Sequence, residues 1–403
     1  MTTIKLTKKD LWHSVLGGAA LSTGGGGSAP PYELFSEAVD QVFDAGLEPK
    51  LMDPMDLSDD DRVLIPIGIG GGIPREDMER YGPPIRGGPN MDIAYKEMAR
   101  VFPILDGAEK LTDNWRTAAI NRLKELKGEE DYATVFPGEI GPGIYRSALS
   151  GARDGIPVVD ADCAGQRAVP ELSFTSFNVH NIPATPAIIA TVWGDLLIYE
   201  KTISWQRLED ITRSIALASG GGNSTVFSLT GKDIKEASVH GSYSKAIKVG
   251  KAIDEARKSG DDPVDSIVKA TNGYKLFEGE IISYTSEGKF AFIWGNGWIK
   301  GTGDYEGKLF RFWYKNENQI SWLDDEPYVT CPDPFTVIDR ESGDGIANFR
   351  RDAWTPGRKV AVVGVKAVDV WRSERGLKIY NPRHFGFNIK FRPIEEIMER
   401  SPS

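Results

Sequence analysis

Apolar residues in the first two thirds of the chain recur with either helical or extended spacing. A helix is predicted to begin after Thr7, a good N-cap residue, because Leu11, Val15 and Leu16 follow at helical spacing. The same spacing predicts helices over residues 144–154, 205–218, 232–237, 242–259 and 263–270. Short β-branched runs predict strands over residues 50–52, 62–67, 132–136, 156–159, 187–192, 196–199 and 225–229.

The order of these segments is strand, glycine-rich turn, helix, strand, which is typical of βαβ units. It predicts an α/β domain whose sheet is mostly parallel. Parallel strands joined by right-handed crossovers end at one edge of a sheet, where ligands commonly bind. We therefore expect three turns to approach one another: residues 68–72, 137–141 and 160–165.

The pattern changes from Tyr274 onward. Short alternating segments are separated there by Gly, Asp and Asn, and six of the ten tryptophans fall in this region. This pattern is typical of antiparallel hairpins and predicts a smaller all-β domain. We expect an α/β domain over residues 1–272, an antiparallel β domain over 273–392 and a tail over 393–403.

Composition limits the class of protein. A chain of 403 residues exceeds what one core usually organises, and its net charge of −10 argues against a nucleic-acid partner. No apolar run is long enough to cross a membrane, and Asp10 interrupts the N-terminal apolar stretch, unlike a signal peptide. Two distant cysteines, Cys163 and Cys331, favour a reducing cytoplasm. The oligomeric state is left open, and a homo-oligomer is one possibility.

Titratable residues crowd the segment VVDADCAGQRAVPELSFT, residues 158–175, which starts in a predicted buried strand. Asp160 and Asp162 alternate at the strand end, so their side chains share one face if the strand continues. One carboxylate could then act as general base for water and the other as an orienter or metal ligand. The alternative is that each Asp caps a loop.

Three further residues of this segment have two interpretations each. Arg167 suits a substrate carboxylate or ring carbonyl, but it could equally form a structural salt bridge. Glu171 is a candidate for the substrate site, or for a bidentate ion pair with Arg167. Cys163 is a candidate nucleophile if a cation lowers its pKa, and otherwise a small packing residue.

Two glycine-rich turns extend the candidate site. Glu139 lies in PGEIGPG, residues 137–143, where small neighbours leave room for a ligand. Four consecutive glycines could present backbone N–H groups to an anion or an oxyanion, or could form a flexible linker; they are Gly24, Gly25, Gly26 and Gly27. Residues 73–90 are rich in Pro and Gly and are predicted to form a long loop of the kind that often covers a site.

No nucleotide cofactor is expected. The run GIGGG, residues 68–72, lacks the glycine spacing and helix start of a dinucleotide site, and no P-loop signature is present. Asp162, Glu139, His180 or His240 could hold a divalent metal, but no HxH, HExxH or CxxC spacing supports one. The metal content is left open.

Several segments resemble the S-methyl thiohydantoin desulfurase-like family, whose members are often associated with hydantoin metabolism. The segments are LGGAALSTGGGG, PGEIGPG, GIPVVDADCAGQRAVPE, CPDPFTVIDRESG and PRHFGFN. Cys163 and Gln166 depart from the family's Asp-x-Asp-Gly-x-Gly-Arg pattern. The resemblance implies an N-terminal three-layer α/β domain followed by a C-terminal β domain.

The sequence supports two hypotheses. In the first, the protein is a hydrolase acting on a hydantoin- or thiohydantoin-like cyclic amide. Asp162 or Glu139 activates water, the glycine run stabilises the oxyanion and Arg167 orients the ligand. In the second, the protein is a non-catalytic ligand-binding or accessory subunit that partners a hydantoinase-type enzyme through its β domain.

Overall fold

The computed structural model describes residues 2–70, 115–191, 194–219 and 222–400. The loop predicted over residues 73–90 lies outside these residues. Within the described ranges, no helix combines the length and the apolar character that crossing a membrane requires.

The α-helices of the described residues are numbered in chain order. They are α1 (Lys8–Leu21), α2 (Tyr32–Asp44), α3 (Trp115–Lys127), α4 (Tyr145–Arg153), α5 (Ser176–Val179), α6 (Trp205–Ala218), α7 (Gly231–Ala237), α8 (Ser242–Ser259), α9 (Pro263–Thr271), α10 (Asp369–Arg372), α11 (Glu374–Ile379) and α12 (Ile394–Arg400). Short 3-10 turns lie at Pro54–Asp56, Gly303–Tyr305, Arg351–Ala353 and Pro382–Phe385.

The strands form two large sheets and one small one. They are β1 (Thr3–Lys5), β2 (Lys50–Met52), β3 (Arg62–Gly70), β4 (Thr134–Val135), β5 (Val158–Val159), β6 (Ala161–Asp162), β7 (Ala187–Thr191), β8 (Leu196–Tyr199), β9 (Gly222–Thr230), β10 (Val239–His240), β11 (Tyr274–Tyr284), β12 (Glu287–Lys289), β13 (Phe292–Gly301), β14 (Leu309–Lys315), β15 (Glu317–Leu323), β16 (Glu326–Thr330), β17 (Phe335–Asp339) and β18 (Lys359–Gly364).

The first large sheet has the order β1-β2-β5-β4-β3-β9-β7-β8. Only the neighbours β2-β5, β5-β4 and β4-β3 are parallel; the other four pairings between these described strands are antiparallel. The prediction of a mostly parallel sheet was therefore wrong, and the sheet is mixed. The hairpin between β7 and β8 reverses the chain before α6, so β9 enters antiparallel to both of its neighbours.

Helices cover both faces of this mixed sheet. On one face α1, α2, α4, α8 and α9 pack through a cluster that includes Val15, Leu64 and Val158. On the other face α5, α6 and α7 pack through a cluster that includes Ile65 and Phe227. Adjacent strand residues thus enter opposite cores, as strand geometry requires.

Helix α1 begins where the sequence predicts. The Thr7 hydroxyl accepts the Asp10 N–H, and the Asp10 carboxylate accepts the Thr7 N–H, so a capping box fixes the first turn. Helix α1 ends at Leu21, immediately before the glycine run. The helix therefore positions that run relative to both sheets.

The second large sheet is antiparallel and curled, with the order β16-β15-β14-β13-β11-β18-β17 and with β12 added beside β13. The prediction that this region is all-β was wrong, because α10, α11 and α12 follow the last strand. Trp371 of α10 is fully buried, and its indole N–H donates to the Ala164 carbonyl at 2.8 Å. Residues 393–403 were expected to be a tail, but Ile394 and Ile397 of α12 are buried in the core of the sheet.

Candidate active site

A cavity of about 610 Å³ opens at the carboxyl ends of β3 and β4. Residues 66–70 of β3 and residues 136–139 after β4 line part of it. Gly26 and Gly27 also line it, as does Glu317 from the antiparallel sheet. The cavity therefore lies where the two sheets and the glycine run meet.

The four glycines of the run divide into two pairs. Gly24 and Gly25 are buried against the antiparallel sheet, and a Cβ atom on Gly25 would lie 1.7 Å from Glu317 Oε1. Gly26 and Gly27 line the cavity, with φ angles of 63° and 93° that favour glycine. Only the second pair can present backbone to a ligand in the cavity.

Glu139 lines the cavity from the turn after β4, and its Oε2 accepts the Val169 N–H at 3.1 Å. Burial raises the pKa of Glu139 to about 7, and the nearby Asp162 adds to the rise, whereas Arg213 and Arg167 oppose it. A carboxyl group that titrates near neutral pH can both take and give a proton there. This property suits a general base.

Glu317 lines the same cavity from the first position of β15, and the sequence analysis missed it. Its side chain is buried, and its Oε2 has no hydrogen-bond partner among the described residues. Burial raises the pKa of Glu317 well above its ordinary value, and the charge of Glu139 adds to the rise. The polar run KNENQ, residues 315–319, was the available sequence signal.

Asp162 and Asp160 do not line the cavity. The fully buried Asp162 carboxylate accepts the Gln166 N–H at 3.0 Å and the Ser242 hydroxyl at 2.8 Å, so it holds the turn after β6. Burial raises the pKa of Asp162 to about 7. Asp160 accepts hydrogen bonds from the backbone and hydroxyl of Ser244 at the start of α8. Both carboxylates thus cap local structure, which was the alternative interpretation.

Cys163 lines the cavity wall but is nearly inaccessible. Its thiol donates to the Gly138 carbonyl at 3.0 Å. Burial raises the pKa of Cys163 well above its ordinary value, and the charges of Asp162 and Glu139 add to the rise. These surroundings keep the thiol protonated, so they favour a packing role over that of a nucleophile.

Arg167 is fully buried behind the cavity wall. Its guanidinium donates to the carbonyls of Ala168 at 3.1 Å and Pro332 at 3.0 Å, and it lies 5.3 Å from the centre of the Tyr380 ring. It lowers the pKa values of both Glu139 and Glu317. Arg167 therefore supplies positive potential to the cavity without touching its contents.

Glu171 lies at the edge of the cavity and is paired, but not with Arg167, the partner that one of its two interpretations gave it. Its carboxylate forms an ion pair with Lys315 and accepts a hydrogen bond from His384 Nε2 at 3.1 Å. Burial raises the pKa of Glu171, but the bond from His384 and the charge of Lys315 outweigh it and lower the pKa to about 2. The carboxylate is therefore ionised at any physiological pH.

Arg213 of α6 also lines the cavity and was missed because helix periodicity explained its segment. Its Nε donates to Glu209 Oε1 at 2.8 Å, and its other nitrogens donate to the carbonyls of Gly70 and Pro170. These bonds tie the end of β3 to the segment that carries Glu171.

The structure thus brings part of the predicted site together. The predicted residues on the cavity wall are Gly26, Gly27, Glu139, Cys163 and Glu171, whereas those outside it are Gly24, Gly25, Asp160, Asp162 and Arg167. Within the part of the chain that the structure describes, no cluster of three or more His, Cys, Asp or Glu residues could hold a metal ion.

Comparisons with known proteins place the chain in a family. Residues 103–201 match the family model of the S-Me-THD-like N-terminal domain, and residues 203–394 match that of the C-terminal domain. The junction falls inside the region predicted to be one α/β domain, so the division at 272/273 stays a prediction. No curated protein matches the chain.

A crystal structure of a protein from Chromobacterium violaceum superposes with a TM-score of 0.69 at 19% identity, covering 97% of this chain and 100% of that chain. At this identity the likeness shows the fold alone. The two domain matches follow one another along most of the chain and agree with the resemblance found in its motifs. The chain therefore belongs to the S-Me-THD-like family, as the resemblance to S-methyl thiohydantoin desulfurases predicted.

Proposed function

We propose that the protein hydrolyses an S-substituted thiohydantoin-like ring in the cavity, with Glu139 as general base. Family membership supports the substrate class. The cavity of about 610 Å³ has a volume typical of small-molecule sites. The observation that carries the proposal is Glu139 itself, a carboxyl group on the cavity wall with a pKa of about 7.

The proposed reaction needs only water as a co-reactant. The Glu139 carboxylate takes a proton from a water molecule. At the same time the oxygen of that water molecule forms a bond to the ring carbon that carries sulfur. The electron pair of the C=N bond moves to the ring nitrogen. When that C=N bond re-forms, the C–S bond breaks and its electron pair moves onto sulfur. The sulfur takes up one proton, which balances the proton that Glu139 removed from water, and leaves as a thiol, so the ring becomes the hydroxyl tautomer of a hydantoin.

Other cavity residues support this assignment. The buried thiol of Cys163 donates a hydrogen bond to the Gly138 carbonyl, and burial raises its pKa, which favours water over the thiol as the nucleophile. The bare backbone at Gly26 and Gly27 lets a flat ring approach the main chain closely. Asp162, outside the cavity, is proposed as a positioning residue, because it holds the turn that precedes Val169, whose N–H bonds to Glu139.

Release of methanethiol from S-methyl thiohydantoin by the purified chain tests the proposal. Glu139→Gln is expected to lower kcat by about 10²–10⁴-fold, the usual contribution of a general base. The control Glu33→Gln changes an exposed residue of α2 and should leave kcat unchanged. Hydrolysis in ¹⁸O-labelled water should place the label on the ring carbonyl.

Two outcomes would contradict this function. Full activity in Glu139→Gln would remove Glu139 from the mechanism. A wild-type chain that binds the ring without releasing thiol, and that co-purifies with a hydantoinase-type enzyme, would favour the accessory-subunit hypothesis instead.

A further inference from the structure

We propose that Glu317 is the general acid of this site, donating the proton that the departing sulfur takes up. The inference rests on the proposed function and assigns a second catalytic residue to it.

The backbone at Glu317 is fixed on the cavity wall by its neighbour. Asn316, with a φ angle of 56°, exchanges two hydrogen bonds with the Ile293 backbone: its N–H donates to the carbonyl at 2.7 Å, and its Oδ1 accepts the N–H at 2.9 Å. The Asn348 amide donates to the Asn316 carbonyl at 2.8 Å. The turn that aims Glu317 at the cavity is therefore rigid.

The missing side chain of Gly25 leaves room for the Glu317 carboxyl group. A Cβ atom on Gly25 would lie 1.7 Å from Glu317 Oε1 and 2.5 Å from its Cγ. Gly25 is not among the residues with positive φ, so its backbone conformation does not call for glycine. Glycine at this position is explained by the room that the Glu317 side chain occupies.

One oxygen of that carboxyl group is left without a partner. Glu317 is 3% exposed, and no described residue bonds to its Oε2. An unsatisfied buried polar atom lowers stability, so such atoms usually have a function or meet a ligand. A substrate atom in the adjoining cavity would complete the bonding of this oxygen.

The charges around Glu139 and Glu317 favour one proton shared between their two carboxyl groups. Burial and the Glu139 charge raise the pKa of Glu317 well above its ordinary value, whereas Arg167, a hydrogen bond from the Gly26 backbone and Arg213 lower it. Burial raises the pKa of Glu139 to about 7; the charge of Asp162 adds to the rise, and the same two arginines lower it. Two interacting carboxyl groups titrate as a pair, so one can hold a proton while the other is ionised, which suits separate acid and base roles.

The proton balance closes within this pair. Glu139 takes one proton from water, and Glu317 gives one to sulfur as the electron pair of the broken C–S bond moves onto that atom. The pair thus ends with the number of protons that it had at the start. Transfer of a proton from Glu139 to Glu317 restores both groups for the next cycle.

Leaving-group dependence tests the acid role. An alkyl thiolate, comparable to Cys with a pKa of about 8.5, is more basic than a 4-nitrophenyl thiolate, whose charge is delocalised into the nitro group. Protonation therefore assists the departure of the alkyl thiolate more. Glu317→Gln is expected to lower kcat about 10²-fold or more with S-methyl thiohydantoin but less than about tenfold with the S-(4-nitrophenyl) analogue. Glu139→Gln should lower both rates, and the exposed control Glu326→Gln should lower neither.

The room that Gly25 leaves for Glu317 allows a second, independent test. Gly25→Ala should displace the Glu317 carboxyl and reproduce the leaving-group pattern of Glu317→Gln. In a Glu317→Ala background the same Gly25→Ala change should have little further effect, because the atoms it would strike are gone.

The outcomes separate this inference from the proposed function. Equal losses on both substrates in a folded Glu317→Gln variant would overturn the acid role while leaving Glu139 in place. Additive effects of Gly25→Ala and Glu317→Ala would also overturn it. A wild-type chain that converts neither substrate would instead refute the proposed function itself.

Discussion

The carboxylate of Glu171 is buried between Lys315 and His384. Without this carboxylate, the buried charge of Lys315 would have no counter-charge. Glu171→Gln is expected to lower the free energy of unfolding by roughly 3–5 kcal/mol, because Lys315 then stays buried without a counter-charge. Denaturant unfolding at pH 7 measures the loss. The control Glu374→Gln breaks an exposed pair with Lys378 and should leave the free energy of unfolding essentially unchanged.

The same ion pair has a pH signature. The pKa of Glu171 is about 2 in the folded protein and 4.5 ordinarily, so its contribution is complete above pH 4.5 and is lost as the pH falls towards 2. The unfolding free energy of Glu171→Gln should therefore fall less steeply with acid than that of the wild type. Parallel curves for the two proteins would contradict this assignment.

Glu139 has the opposite linkage. Its pKa is about 7 in the folded protein against 4.5 ordinarily, so the folded state holds more protons and loses stability as the pH rises from about 4.5 to 7. Glu139→Gln should remove part of this loss and be more stable than wild type at pH 8. Unfolding at pH 5 and pH 8 measures the difference, and Glu33→Gln should behave as wild type.

The site residues that the sequence identified differ in how local their signal is. Asp162 was a candidate base because carboxylates crowd its segment, but its partners include Ser242, which is remote in sequence. Glu139 was found because its turn is rich in glycine. Glu317 was missed, since nothing near it in sequence shows that Gly25 and the cavity lie against it. Tertiary neighbours, and not residue types, decide these roles.

Helix α1 and helix α8 pack at unusually close range. A Cβ atom on Gly17 would lie 1.8 Å from the Ala246 carbonyl oxygen, and one on Gly250 would lie 1.8 Å from that of His13. Gly250→Ala should therefore destabilise the protein by about 1–3 kcal/mol through overpacking, although alanine is the better helix former. Thermal unfolding measures the effect. Gly68→Ala is the control, since among the described residues, its two chain neighbours aside, no atom lies within 4 Å of its added Cβ.

At the scale of elements, the sequence predicted the features that depend on neighbouring residues, such as helix bounds. It failed for strand direction, which depends on pairing between distant segments. The bounds of Lys8–Leu21, Trp205–Ala218 and Ser242–Ser259 follow from spacing and caps within each helix. The direction of β9 depends instead on the β7–β8 hairpin that precedes α6. No periodicity within β9 shows which way it runs, so the mostly parallel sheet was a wrong inference from correct elements.

The whole molecule is joined through the glycine run and the antiparallel sheet. The Asn318 N–H donates to the Thr23 carbonyl and the Asn348 N–H to that of Gly24, both at 2.8 Å. Ile338 and Val363 of that sheet lie in the same core cluster as α1. Residues of both the α/β region and the antiparallel sheet line the cavity. Neither region alone therefore contains the proposed site.

This shared core predicts one cooperative unfolding transition for the chain, in which the calorimetric and van't Hoff enthalpies agree. Separately produced fragments 1–272 and 273–403 should each lack a sharp transition, because each exposes the apolar surface that the other covers. Mixing the two fragments should restore part of the transition, as judged by calorimetry and circular dichroism. Two independent transitions in the full chain, each matched by a fragment, would show instead that the cavity lies between bodies that fold separately.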